Sequence, residues 1–252
     1  MSAGTVAITM AGFGNRFRDA GYDLPKYRIE ALGRPLFDWS MLSLDAFREA
    51  NWRFSFAVRR DDGQEDFIRA RCAALGLSVG ELLALDAPTN GQATTARLLA
   101  AVSPPDEPFA IYNIDTFVRP GAMRPTPDEA DVAGWIPCFP GPGEGWSFAR
   151  LDDEGRVVEL REKSRISSHA TLGLYGFASA RLFLETYDRY FANGNEEKGE
   201  RYVAPMYNDL IAGDLKVRIA EVVLADVGML GTPAQVRDFI SHPPAAARDL
   251  AV

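Results

Sequence analysis

Residues 5–17 read Thr-Val-Ala-Ile-Thr-Met-Ala-Gly-Phe-Gly-Asn-Arg-Phe, an apolar run that leads directly into a loop with two glycines. The uncharged run at 6–9 predicts a short buried strand. Glycines placed directly after a strand let backbone N–H groups approach a phosphate closely. A nucleotide site at the end of the first strand is therefore the first hypothesis that the sequence suggests.

Two common phosphate-binding loops do not fit this segment. A dinucleotide-binding fingerprint needs a third small residue at position 17, where Phe17 stands, and a helix that opens at once. A P-loop needs a Gly-Lys-Ser/Thr sequence, which does not occur here. Gly21 and Pro25 interrupt the segment, so the sequence predicts an unusually long connection of about 25 residues before a helix that starts near Leu36.

This long connection is basic, although the protein is acidic. The 252 residues carry 27 Lys+Arg and 35 Asp+Glu, a formal net charge of −8. Residues 1–34 hold five basic and three acidic side chains, so their net charge is +2 and that of the rest is −10. A cationic, glycine-bearing loop fits an anionic ligand such as a triphosphate. The alternative is a solvated surface loop that contains a tight turn.

Composition excludes several classes of protein. The content of 47% hydrophobic and 25% charged residues is that of a folded globular protein. Its acidic balance argues against binding to nucleic acid or to an anionic membrane, and no apolar run approaches the roughly 20 residues of a membrane span. No basic segment precedes the first strand, so a secretory signal is not expected. Cys72 and Cys138 form no CxxC, which argues against a disulfide framework or a cysteine zinc site and suits the cytoplasm.

Strand and helix patterns alternate in the first half of the chain and change in the second half. The first half predicts strands at 6–9, 54–58, 82–85 and 109–113 and helices at 36–50, 65–75 and 93–102. This alternation is typical of a parallel sheet flanked by helices. The second half predicts a hairpin of 146–151 with 156–160, strands at 172–178 and 217–223, helices at 180–191 and 233–240, and a frayed tail from 242. We expect one α/β domain over residues 1–252.

The loop resembles the signature of the sugar-phosphate nucleotidyltransferases. The pattern of that family runs Leu-Ala-Gly-Gly-x-Gly-Thr-Arg, then Pro-Lys, then Gly-Lys-Pro-Leu-Ile. This chain has Met-Ala-Gly-Phe-Gly-Asn-Arg-Phe at 10–17, Pro-Lys at 25–26 and Gly-Arg-Pro-Leu at 33–36. Phe13 falls within the glycine cluster and Asn15 replaces the threonine. The spacer at 18–24 is similar to that of members that serve capsule and surface-polysaccharide synthesis.

The resemblance implies a fold and roles for the loop residues. The implied fold is a GT-A-like, Rossmann-like α/β/α sandwich with a mostly parallel, mixed central sheet and an antiparallel hairpin insertion. The implied halves are nucleotide-binding (1–120) and acceptor-binding (121–240), followed by the tail at 241–252. Arg16 would meet the phosphates and Lys26 would neutralise charge near the α-phosphate. The remaining loop residues that would bind the nucleotide are Ala11, Gly12, Phe13, Gly14 and Asn15.

Two aspartates are candidates for a metal site. Asp115 follows the strand at 109–113, and ligands bind at the carboxyl ends of such strands. Carboxylate oxygens suit Mg²⁺, which keeps waters and phosphate oxygens as further ligands; a turn cap is the alternative. The segment resembles the Asn-Gly-Asp of the family, with Ile114 in place of glycine. Asp226 resembles the aspartate of Asp-x-Gly-Thr-Pro, although three residues intervene between Gly228 and Thr232, and Thr232 by itself reads as a helix N-cap. The resemblance thus implies Mg²⁺ on Asp115 and Asp226.

Further segments resemble parts of the family that bind the acceptor and the base. Glu162 and Lys163 correspond to a Glu-Lys-Pro whose glutamate binds sugar hydroxyls and whose lysine holds the acceptor phosphate, although Glu-Lys pairs are also common on surfaces. Gly173 lies in a segment similar to a Gly-Ile-Tyr strand and would let the acceptor approach the backbone. Gly91 and Gln92 resemble a Gly-Thr-Ala segment that lines the nucleobase; the alternative is that this segment caps a helix.

The function implied is transfer of a nucleoside monophosphate from an NTP to a sugar phosphate or similar phosphorylated acceptor, with release of pyrophosphate. The enzyme would be a Mg²⁺-dependent, cytoplasmic pyrophosphorylase that supplies nucleotide sugars for surface polysaccharide. Its partners would be the NTP and a phosphorylated sugar or polyol, without nucleic acid or membrane, and a homo-oligomer is compatible with the sequence. The alternatives are a non-catalytic protein that binds a nucleotide or nucleotide sugar, and a GT-A glycosyltransferase, whose Asp-x-Asp does not occur here.

Overall fold

The first strand, β1 (Thr5–Thr9), sends its side chains into two different hydrophobic cores. Val6 and Ile8 pack into one cluster and Ala7 into the other, and all three are fully buried. Alternate residues of a strand point to opposite faces of its sheet. Because β1 is apolar on both faces, both faces of the sheet must be covered, and helices cover them.

The computed structural model describes residues 3–127, 129–197 and 199–252. Within these ranges the further strands are β2 (Glu30–Ala31), β3 (Arg34–Pro35), β4 (Arg53–Arg59), β5 (Ser78–Leu85), β6 (Phe109–Tyr112), β7 (Thr116–Val118), β8 (Val132–Phe139), β9 (Ser147–Leu151), β10 (Val157–Glu162), β11 (His169–Thr171), β12 (Leu174–Phe177), β13 (Lys216–Glu221) and β14 (Val227–Met229). The helices are α1 (Asn15–Arg18), α2 (Leu36–Leu42), α3 (Asp45–Glu49), α4 (Glu65–Leu75), α5 (Gln92–Ala100), α6 (Ala180–Phe191), α7 (Tyr207–Ala212), α8 (Pro233–Ser241) and α9 (Ala245–Leu250). Among these helices, none combines the length and apolar composition needed to cross a bilayer.

One sheet of ten strands organises the fold, in the order β10-β9-β11-β8-β12-β6-β1-β4-β5, with β13 beside β8. Strands β6, β1, β4 and β5 are parallel neighbours, and β13 is parallel to β8. Strand β12 runs antiparallel between β6 and β8, so the described strands give a mixed sheet in which most point the same way. The sheet and its antiparallel β9–β10 hairpin confirm the predicted fold class.

Three hydrophobic clusters hold the layers together. One face of the sheet packs against α2, α3 and α4 through side chains such as Phe37, and the other against α5, α6 and α7 through side chains such as Phe183. A third cluster joins α8, α9 and β7 to the long connection after β1, which contributes the buried Phe17. The connection is therefore anchored to the body of the protein by its own apolar residues.

The predicted helix over 36–50 is wrong in its continuity, because it divides into α2 and α3. At the division, the Ser43 hydroxyl donates to the carbonyl of Trp39 over 3.0 Å and accepts from the backbone N–H of Val118 over 2.9 Å. Ser43 thus ties the end of α2 to β7.

The predicted strand over 172–178 begins only at Leu174. Gly173 has a φ of 78°, which separates this strand from β11.

The sequence prediction also missed the longest buried strand, β8. All eight of its residues are buried. Gly134 and Pro137, two residue types that are unfavourable in strands, obscure its pattern. At Gly134 the space that a Cβ would need is filled by the ring of Tyr207, which lies 2.5 Å from the position of that atom. Close packing from the α7 side therefore explains a glycine in this strand.

The prediction of a frayed tail from residue 242 is wrong. Residues Ala245–Leu250 form helix α9, and Ala247 is fully buried in the third cluster. Arg34 Nε donates to the carbonyl of Leu250 over 2.7 Å, and the backbone N–H of Val252 donates to the carbonyl of Leu32 over 3.3 Å. The end of the chain thus covers the connection after β1, a tertiary effect that a short alanine-rich segment does not signal by its pattern.

The packing of α9 predicts that Ala247→Asp lowers the free energy of unfolding by about 2–4 kcal/mol, since an unpaired charge would be buried. Ala245→Asp is the matched control, because Ala245 is exposed on the same helix and should leave stability nearly unchanged. Urea unfolding followed by circular dichroism measures both values. Equal stability of the two variants would show that α9 does not pack as described.

Candidate functional site

The glycine loop after β1 makes a tight turn that opens onto a cavity. Gly14 has a φ of 65°, in the left-handed region that glycine adopts at little cost, and its carbonyl accepts from the backbone N–H groups of Phe17 and Arg18 at 2.9 and 3.2 Å. A Cβ placed on Gly12 would meet nothing within 4 Å, so its backbone borders open space. The loop presents backbone outwards, while Phe17 anchors it from below.

The first cavity, called the loop cavity, has a volume of about 470 Å³. Its cationic lining side chains are Arg16, Arg18 and Lys26, and all of the loop residues 12–18 border it. The predicted residues Gly12, Phe13, Gly14, Asn15, Arg16, Lys26 and Asp115 are therefore brought together around one space. The volume of the cavity and its three cations suit a nucleoside triphosphate.

An ion pair between Lys26 and Asp115 closes the inner end of the loop cavity. Lys26 lies in a 3₁₀ turn at Lys26–Arg28, and Asp115 follows β6. Lys26 Nζ donates to Asp115 Oδ1 and to the carbonyl of Ile114, the latter over 3.0 Å. The Lys26 side chain is 12% exposed and that of Asp115 is 49% exposed. The lysine is thus fixed, whereas the carboxylate still faces the cavity.

A second cavity, called the acceptor cavity, adjoins the first and has a volume of about 370 Å³. The two cavities share Arg16, Asp115 and Glu200. The predicted acceptor residues Glu162, Lys163 and Gly173 all line the second cavity, and so do Gln92, Asn113, Ser147, Thr171, Tyr175 and Tyr202. The meeting point of the cavities therefore holds two carboxylates and a guanidinium, with a polar pocket on one side and a cationic loop on the other.

Hydrogen bonds hold Glu162 and Lys163 in the acceptor cavity. The Ser147 hydroxyl donates to Glu162 Oε2, and Lys163 Nζ donates to the Tyr202 hydroxyl over 2.9 Å. The bond to Tyr202 raises the pKa of Lys163 above its usual value. Burial raises the pKa of the Tyr175 phenol well beyond its usual value, so Tyr175 is a neutral hydrogen-bonding group. The cavity therefore combines two cations, Lys163 and the shared Arg16, with several groups that can bind hydroxyls.

Asp226 does not join Asp115, which corrects the predicted pair of metal ligands. The antiparallel register places Val227 opposite Val118 and Met229 opposite Thr116. Asp226 consequently lies beside Arg119, to which it is bound over 2.8 Å, whereas Asp115 accepts through its carbonyl from Leu230 N–H. Arg119, the partner of Asp226, is four positions from Asp115 along the extended segment that contains β7, which corresponds to about 13 Å. Leu230, rather than Asp226, is thus the residue that approaches Asp115.

Asp115 by itself fits a magnesium ion that arrives with a triphosphate. Mg²⁺ is usually held by one or two carboxylates together with waters and substrate phosphates, and Asp115 offers an accessible carboxylate at the meeting point of the cavities. In the described ranges, no group of three or more His, Cys, Asp or Glu side chains is arranged to hold a metal ion without such help.

Two predicted nucleotide-binding residues lie outside the cavities. Ala11 is buried at 6% exposure beneath the loop. Gly91 packs against the backbone of Arg201 and begins α5, so it caps a helix, the alternative noted from the sequence. Gln92 does reach the acceptor cavity, and its amide nitrogen is buried without a hydrogen-bond partner among the described residues.

Sequence reasoning missed several residues of the acceptor cavity. Glu200 and Tyr202 come from a segment of mixed aromatic and polar residues that the sequence analysis did not assign to the site. Ser147 and Tyr175 lie in strands that were predicted, but nothing in their pattern shows which side chains face a cavity. Their positions follow from the pairing of β9 and β12 with other strands, which a single sequence does not reveal.

Known structures share this architecture. A nucleoside-diphosphate-sugar pyrophosphorylase from Vibrio cholerae RC9 is 33% identical and has a TM-score of 0.85, over 94% of this chain and 100% of that chain. The inositol-1-phosphate CTP transferase from T. maritima is 15% identical with a TM-score of 0.75, covering 97% of this chain and 98% of that chain. A CTP:phosphocholine cytidylyltransferase from Streptococcus pneumoniae is 16% identical with a TM-score of 0.70, covering 94% and 97% of the two chains. The last two share the fold.

No protein-family model matches the sequence, and no curated protein sequence matches it either. The family assignment therefore rests on the Vibrio cholerae protein, which is similar in sequence over essentially its whole length. With its glycine loop and adjoining cavities, the chain belongs to the family of nucleoside-diphosphate-sugar pyrophosphorylases, the sugar-phosphate nucleotidyltransferases.

Proposed function

We propose that the protein transfers a nucleoside monophosphate from an NTP to the phosphate of a sugar or polyol phosphate and releases pyrophosphate. The observation that carries this proposal is the junction of the two cavities at Arg16 and Asp115. An NTP in the loop cavity and a phosphorylated acceptor in the acceptor cavity would meet at that point. The reaction needs this arrangement, because an oxygen of the acceptor phosphate must reach the α-phosphorus in line.

In the proposed reaction the acceptor phosphate oxygen forms a bond to the α-phosphorus while the bond from the α-phosphorus to the bridging oxygen of pyrophosphate breaks. A phosphate is already nucleophilic at neutral pH, so no general base is required. Catalysis is then positioning and neutralisation of charge. Arg16 and Lys26 are placed to neutralise charge on the triphosphate, since both line the loop cavity. Mg²⁺ held by Asp115 would supply further positive charge at the phosphates.

The acceptor cavity supports a hydroxyl-bearing phosphorylated acceptor. Lys163 supplies a point charge for the acceptor phosphate. Glu162 and the buried hydroxyls of Ser147 and Thr171 can accept from and donate to sugar or polyol hydroxyls. Gly173 and Asn113 line the same space in contact with each other.

We further propose that the product is an activated precursor made in the cytoplasm for surface polysaccharide. This role is implied by the resemblance of the 18–24 spacer to capsule-type members.

The separation of the two aspartates predicts opposite outcomes for two matched variants. We expect Asp115→Asn to lower the turnover number about 10²–10³-fold, because a charge at the reacting phosphates is lost. We expect Asp226→Asn to retain the wild-type turnover, because Asp226 is paired with Arg119 about 13 Å from Asp115 along the β7–β14 pair. Pyrophosphate release measures both, with CTP, UTP, ATP, GTP and dTTP against a set of sugar 1-phosphates and polyol phosphates.

Equal melting temperatures of the two aspartate variants serve as the folding control. Loss of turnover in Asp226→Asn together with an active Asp115→Asn would reverse the assignment of the site. Wild-type protein that binds nucleotide but releases no pyrophosphate with any pair of substrates would favour the non-catalytic alternative.

The position of Lys163 predicts an effect confined to the acceptor. Lys163→Met should raise the KM of the acceptor about 10- to 100-fold, as expected for loss of a hydrogen bond to a charged group, and should leave the KM of the NTP unchanged. The pKa of Lys163 is raised above 10.5, so its ammonium stays charged between about pH 6 and 9. The ratio of the acceptor KM of Lys163→Met to that of the wild type should therefore be constant over that range. Steady-state kinetics over that range measure it.

Lys216→Met is the matched control for Lys163→Met, since Lys216 pairs with Glu129 at the surface and lies outside both cavities. It should leave both KM values unchanged. A change in the NTP KM with Lys163→Met, without a change for the acceptor, would contradict the assignment of the two cavities.

A further inference from the structure

Phe13 differs from the other residues of the loop cavity because it is apolar, aromatic and exposed. It is 43% exposed, whereas Phe17 on the same loop is 2% exposed. Phe13 lines the loop cavity with the cations Arg16, Arg18 and Lys26 and three carboxylates, and other apolar lining residues of the cavity, such as Met10 and Ile114, are buried. Exposed apolar surface is unfavourable in water. A large ring in a charged cavity therefore indicates an occupant with an apolar face.

Arg59 holds the Phe13 ring in place. The guanidinium carbon of Arg59 lies 4.5 Å from the centroid of the ring, the geometry of a cation–π contact. The Arg59 side chain is 13% exposed at the end of β4, and its Nη2 pairs with Asp61 over 3.2 Å. Its Nη1 is buried and has no hydrogen-bond partner within the described ranges. One face of the ring is thus fixed against a nearly buried cation before any ligand binds.

The position of Phe13 relative to the cations indicates which part of a bound ligand contacts its ring. Arg16 belongs to both cavities, whereas Phe13 lines the loop cavity alone, away from the acceptor. Phosphate oxygens pair with cations and gain nothing from a phenyl ring, but a nucleobase stacks on one. We propose that Phe13 is a stacking platform for the nucleobase of the NTP and that Arg59 is its positioning residue. This inference rests on the proposed function.

Stacking requires only the π-face that every base has. The platform therefore contributes to the binding of purine and pyrimidine nucleotides alike. Tripolyphosphate, which has no base, is the probe that separates stacking from the binding of phosphate.

Calorimetric titration without acceptor tests the platform, with CTP, ATP and inorganic tripolyphosphate as ligands. Phe13→Ala should weaken binding of CTP and ATP about 5- to 150-fold and leave the affinity for tripolyphosphate unchanged. Phe13→Trp should retain the affinity for nucleotide. The fluorescence of its added indole, taken as the difference from wild type, should be quenched by CTP and ATP but not by tripolyphosphate.

A pair of Arg59 variants tests the positioning role. Arg59→Met should produce part of the loss seen with Phe13→Ala, and Arg59→Lys should restore binding because it keeps the cation. In the Phe13→Ala background Arg59→Met should add nothing, since the two residues act through one contact. Urea unfolding of each variant confirms that it is folded.

The outcomes separate this inference from the proposed function. Unchanged affinity of Phe13→Ala for CTP and ATP would overturn the stacking platform while leaving the proposed function intact. An equal loss of tripolyphosphate binding would also overturn it, because the ring would then act through the shape of the loop. Wild-type protein that binds none of the three ligands would overturn the proposed function and the platform together.

Discussion

The ion pair between Lys26 and Asp115 joins two parts of the chain that 89 positions separate in sequence. One partner lies in the connection after β1 and the other at the carboxyl end of β6, the neighbour of β1 in the sheet. A partly buried ion pair adds little net stability, because desolvation offsets much of its attraction. Its importance is positional: it fixes a cation and an accessible carboxylate at the point where the two cavities meet.

The remainder of the fold serves to keep that point in place. Parallel strands β1 and β6 deliver their carboxyl ends to the same edge, where α/β proteins bind ligands. The third hydrophobic cluster, with Phe17 on one side and Ala247 on the other, holds the long connection against the body of the protein. This explains how a loop too irregular for a Rossmann or P-loop motif still forms a defined cavity.

Sequence patterns predicted the elements whose hydrophobic period is clear. Helices α4 and α6 have the predicted bounds, and the β9–β10 hairpin forms about the predicted turn. Sequence patterns did not predict the elements in which tertiary contacts override the local pattern, namely β8 with its Gly134, and α9. For the site, the motif residues Arg16, Lys26 and Asp115 line one cavity. Asp226 does not, because its placement depends on the register of β14 against β7, which a single sequence does not reveal.

A crystal structure with Mn²⁺ and the nucleoside triphosphate that most raises the melting temperature tests the central claim most directly. We expect anomalous density for the metal beside Asp115, with the triphosphate along residues 12–18 and the α-phosphorus facing the acceptor cavity. Metal density at Asp226, or a nucleotide bound outside the space between Arg16, Lys26 and Asp115, would contradict it.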